Sequence, residues 1–67
     1  MRFERDERKF DFHGIGLAIK RAREQKGMTQ EQMAEKLDHS VNFVSLIELG
    51  KSGMSVTTII DICNILD

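Results

Sequence analysis

The sequence predicts an all-α domain of four short helices, and three observations lead there. Apolar residues recur at three- and four-residue spacing in four separate stretches. Thr29, Ser40 and Ser55 stand where helix caps belong, and Gly27 and Gly50 stand where helices stop. The chain has 67 residues and no proline, enough for one small core and one domain. So short a chain is only marginally stable unless it is well packed, cross-linked or oligomeric.

The elements follow in order. Residues 1–13 mix charges of both signs with Phe3, Phe10 and Phe12. They read as an N-terminal arm, flexible or extended, whose aromatics can dock on the domain formed by residues 14–67. The first helix is expected from Ile15 to Lys26, with Ile15, Ile19, Ala22 and Arg23 on one face and Gly27 as its stop. The second starts at Thr29. Gln32 stands three residues on, at the spacing of a reciprocal capping box. Its inward face is Met33, Ala34 and Leu37, and Asp38 and His39 make the next turn. The third, capped by Ser40, turns Val44, Ile47 and Glu48 inward and ends before Gly50. A loop from Lys51 to Met54 leads to the fourth, capped by Ser55, with Ile59, Ile62, Cys63 and Leu66 as its apolar stripe.

Composition excludes several classes. One cysteine cannot form an internal disulfide, and with two histidines it makes a poor zinc set. No metal and no cofactor are expected. A lone thiol on an apolar face suits a reducing cytoplasm. No apolar run reaches the length of a membrane span, and the N-terminus lacks the apolar core of a signal peptide. The formal net charge of -1 argues against a binder led by bulk electrostatics, though local charge matters more than the sum. Gly14-Ile15-Gly16 is too short for a dinucleotide fingerprint. Gly50-Lys51-Ser52 lacks the upstream glycine and strand of a phosphate loop. His13 and His39 have no nucleophile or carboxylate set at catalytic spacing and read as solvated turn residues. No enzyme is expected. Cys63, at core spacing with Ile59 and Leu66, reads as a packing residue.

Two charges lie on inward faces. An unpaired carboxylate at Glu48 is costly to bury, and Arg23 shares that situation on the first helix. The simplest resolution is a two-pronged salt bridge between them, the alternative being that both reach solvent at the rim.

The run Ile15-Gly16, Arg23, Gly27-Met28-Thr29-Gln30-Glu31-Gln32-Met33-Ala34, Ser40, Val44-Ser45, Ile47-Glu48 and Gly50-Lys51 resembles the Cro/CI-type (XRE) helix-turn-helix family of phage repressors and small bacterial regulators. Asp38 departs from a common glycine and Met54 from a common proline. The family also often has a fifth helix, so the chain reads as four helices or as five with the last trimmed away. The arm or a partner subunit would then cover the exposed end.

The resemblance implies a sequence-specific DNA-binding transcriptional regulator, a repressor, with the third helix (about residues 40–49) in the major groove. It implies base reading by Val41, Asn42 and Leu46: an amide suits adenine, and apolar side chains suit the thymine methyl, favouring A·T-leaning half-sites. It assigns backbone contacts to Gln30, Ser45 and Lys51. Ser40 is a lesser contact that also has a complete reading as a cap. The implied partner is a pseudo-palindromic operator bound by a homodimer joined near the fourth helix, with room for a C-terminal effector domain. The alternative is a protein-interaction module of the antitoxin or multidomain-regulator kind. The neutral charge and the apolar Leu46 and Leu49 on the outward face support it.

Overall fold

The computed structural model describes residues 12–67. Four helices follow one another: α1 (Phe12–Gln25), α2 (Gln30–Leu37), α3 (Val41–Glu48) and α4 (Val56–Leu66). Among the described residues there is no strand. Helix α1 begins ahead of the expected Ile15, so Phe12 and His13 belong to a helix and not to the arm. His13 is exposed, as expected, but within α1 rather than in a turn. Phe12 is half-buried, with the tip of its ring facing Gly53 in the loop before α4. The other expectations for the arm, including roles for Phe3 and Phe10, lie outside the described residues.

The helix ends follow from their residues. Thr29 Oγ1 accepts from the Gln32 amide at 3.0 Å, and the Thr29 amide donates to Gln32 Oε1 at 2.9 Å, closing the capping box. Ser40 and Ser55 cap α3 and α4 by accepting from the amides of Phe43 and Thr58. Helices α1, α2 and α3 all end in the same way. A left-handed residue follows the helix, and the next amide reaches back to a carbonyl in the last turn. Those residues are Gly27, Asp38 and Gly50, and the amides are those of Met28, His39 and Lys51. Asp38, at φ 59°, is the only non-glycine among the described residues with positive φ.

The core is Met33, Ala34 and Leu37 from α2, Val44 and Ile47 from α3, and Ile62 from α4. Ile19, Met28, Phe43, Met54, Ile65 and Leu66 pack around it. Gly16 fixes how closely α1 crosses α3. A β-carbon there would collide with the Ile47 carbonyl oxygen and come within 2.7 Å of that of Glu48.

Helix α4 departs from the expected stripe. Ile62 is buried and Leu66 half-buried, but Ile59 and Cys63 are exposed. The inward line runs through Thr58, Ile62 and Ile65, turned by about one residue position. With isoleucines on several sides of the helix, periodicity alone could not select the face. Cys63 therefore lines an open apolar groove between α1 and α4, along with Ile15, Ala18, Ile19, Ala22 and Leu66.

Candidate nucleic-acid interface

The candidate interface rests on a buried polar cluster that joins three helices. Glu48 ends α3 and is 5% exposed. Arg23, from α1, donates from Nε to Glu48 Oε2 at 2.6 Å and from Nη2 to Oε1 at 3.1 Å. The third guanidinium nitrogen, Nη1, donates to the Met28 carbonyl at 2.7 Å, tying the α1–α2 turn to the same group. Gln30, the first residue of α2, donates from Nε2 to Glu48 Oε1 at 2.9 Å. Hydrogen bonding to Glu48 raises the Arg23 pKa above its ordinary value; burial opposes this, and the charges of Glu48 and Glu24 add to the rise. Among the described residues, every buried side-chain nitrogen and oxygen has a partner. The cluster thus meets the requirement for charge inside a small core: full satisfaction of its donors and acceptors.

This cluster and the core fix the inner face of α3 and so set which residues it turns outward. Val41 and Asn42, in its first turn, are exposed; Ser45 and Leu46 are half-buried. Leu46 is thus partly covered, more than an outward-facing residue was expected to be. Leu49, the C-cap, is 54% exposed. Lys51 is exposed beyond the other end of the helix, which is about 12 Å long for its eight residues. His39, before the Ser40 cap, stacks on Phe43 with ring centroids 4.2 Å apart.

The start of α2 adds donors. The capping box engages the amides of Thr29 and Gln32. Those of Gln30 and Glu31 belong to the first turn, where an α-helix has no carbonyl one turn back to accept them. Free amides and the helix dipole favour an anion at such a position. The exposed Glu31 carboxylate, in the same turn, balances that dipole and competes with an incoming anion.

Of the residues singled out in the sequence, Arg23, Glu48 and Gln30 meet in one cluster. Val41 and Asn42 share an open turn, and Lys51 lies beyond the opposite end of α3. Sequence reasoning missed the Gln30–Glu48 bond, because a glutamine at a helix start reads as a surface residue. It also missed Gly16 as a point of close approach between α1 and α3. The available signal was its position seven residues before Arg23, on the same helical face.

Two short capped helices, joined through Asp38, His39 and Ser40 with the first turn of the second left open, define a helix-turn-helix domain. The chain belongs to the helix-turn-helix family, in its Cro/CI (XRE) type: the family model described as Helix-turn-helix matches residues 19–67, covering α2, α3, α4 and half of α1. This is a class of DNA-binding regulators. No curated protein matches the chain. No described helix is long and apolar enough to cross a membrane.

Proposed function

We propose that this chain is a non-catalytic, cytoplasmic transcriptional repressor that reads a pseudo-palindromic operator as a homodimer. Helix α3 enters the major groove. Asn42 reads an adenine edge, and Val41 and Leu46 press on thymine methyl groups. Gln30, Ser45 and Lys51 hold the flanking backbone. The observation that carries this reading is the exposed first turn of α3, with Val41 and Asn42 both open, on a helix whose inner face is fixed through Glu48. One such domain makes few phosphate contacts, so two linked copies are needed for useful affinity. The open apolar groove between α1 and α4 supports joining the copies there.

The test is selection from a randomised duplex library, followed by titration of the enriched site at several salt concentrations. A two-fold symmetric site whose affinity falls steeply with salt is the expected result. Asn42→Ala then relaxes the preference at one position in each half-site. Absence of enrichment at low salt from a folded chain would sink the proposal.

The exposure of Leu49 and Val41 favours one second reading, in which α3 grips another protein. Under it, Leu49→Lys abolishes a protein complex and leaves DNA retention unchanged.

A further inference from the structure

The contact between Gln30 and Glu48 supports a role beyond joining helices, one that rests on the DNA-binding reading above. We propose that the buried Glu48 is a positioning residue for the phosphate contact of Gln30. It holds the amide in an orientation that commits one Nε2 hydrogen to the carboxylate and leaves the other for the DNA backbone.

Chemistry fixes the orientation of this amide. A carboxylate only accepts hydrogen bonds, so the side of Gln30 that meets Glu48 Oε1 at 2.9 Å is its nitrogen and not its oxygen. A free glutamine side chain at a helix start turns about three bonds and offers an incoming phosphate either end of the amide, one donating and one repelling. Gln30 is half-buried and anchored. Its anchor cannot follow it outward, because Glu48 is itself held by two donors of Arg23 at 2.6 and 3.1 Å and is nearly sealed from solvent. The amide group has a second hydrogen, which the Glu48 bond leaves available. The backbone amides of Gln30 and Glu31 lie in the same first turn, so the side-chain donor joins a set already suited to an anion. Ordering a long side chain on binding is costly, and the Glu48 bond meets that cost before DNA arrives.

A merely structural role would make the Gln30–Glu48 bond matter for folding and not for affinity. The experiment is a double-mutant cycle on the intact chain, using Gln30→Ala, Glu48→Gln and both together. Dissociation constants for the duplex enriched from the library are measured beside circular dichroism to verify folding. Gln30→Ala is expected to weaken binding about threefold to tenfold in the wild-type background. In the Glu48→Gln background it should cost less, because a neutral amide oxygen is a weaker acceptor than the carboxylate and the amide at position 48 can also turn its own donor toward Gln30. Equal losses in both backgrounds would overturn the proposal, as would unchanged affinity in Gln30→Ala, while the DNA reading survived. Failure to enrich any duplex would overturn the DNA reading and this proposal together.

Should Glu48→Gln fail to fold, nuclear magnetic resonance of the wild-type Gln30 side-chain amide decides. A restricted Nε2 group with the same rotamer free and DNA-bound is expected. An amide that is mobile in the free protein, or that leaves Glu48 on binding, would overturn the proposal.

Discussion

Helices α3 and α4 invite comparison because they begin alike and end up in different surroundings. Each is capped by a serine that accepts from the amide three residues on, and each is rich in apolar side chains. Helix α3 lies between α1 and α2 and buries Val44, Ile47 and Glu48. Helix α4 buries Ile62 alone and leaves Val56, Ile59 and Ile60 exposed, Val56 at 72%. Apolar content therefore does not decide how firmly a helix is held. Both helices pack against α1 and α2, but α3 is also held by a charged cluster, whereas α4 rests on the edge of a core completed mostly by others.

Substitutions can break that contrast, and the largest effect belongs to the charged cluster. Glu48→Ala strands a buried guanidinium and is expected to cost about 3–5 kcal/mol, read as a fall in the urea midpoint. For a chain this small, that approaches the whole stability. Ile62→Ala removes the one fully buried contact of α4 and should cost about 2–4 kcal/mol by thermal unfolding. A much smaller loss would mean that α4 contributes little to the cooperative unit. Gly16→Ala tests the α1–α3 crossing. Its new methyl meets backbone oxygens that cannot rotate away, and about 1–3 kcal/mol should be lost by denaturant titration.

Smaller effects sharpen the comparison. Thr29→Ala opens the capping box and should cost about 1 kcal/mol, visible as a lower melting temperature. Ile60→Thr, at a position 53% exposed, should change the stability of the dilute monomer by no more than about 0.5 kcal/mol. A larger loss that grows with protein concentration would instead reveal a second copy covering α4.

How much of this was legible in the sequence depended on what surrounded each signal. Thr29, Gln32 and Ser40 act within three residues of themselves, so their caps could be read directly. Arg23 and Glu48 were legible because a charge on an apolar face demands a partner, and each was the obvious partner for the other. The face of α4 was not legible, since Ile59, Ile60, Ile62, Cys63, Ile65 and Leu66 cover most directions around the helix and only the neighbouring helices select among them. In the interface, the open turn at Val41 and Asn42 follows from helical periodicity. The bond from Gln30 to Glu48 depends on how α2 and α3 are angled, which no local pattern encodes.

Gly50 has a practical consequence for handling the molecule. Its α-carbon faces the start of α1 so closely that an added β-carbon would lie 2.7 Å from the His13 nitrogen and 3.0 Å from the Phe12 carbonyl carbon. Phe12 and His13 therefore lie beside the far end of α3, next to Lys51. The last residue, Asp67, accepts a hydrogen bond from Lys26 just past the other end of α1, and that helix is about 21 Å long. Under the proposed reading, a fluorophore at the exposed His13 would sense a duplex on α3, whereas one at Asp67 would sit on the open groove between α1 and α4 and report on its covering.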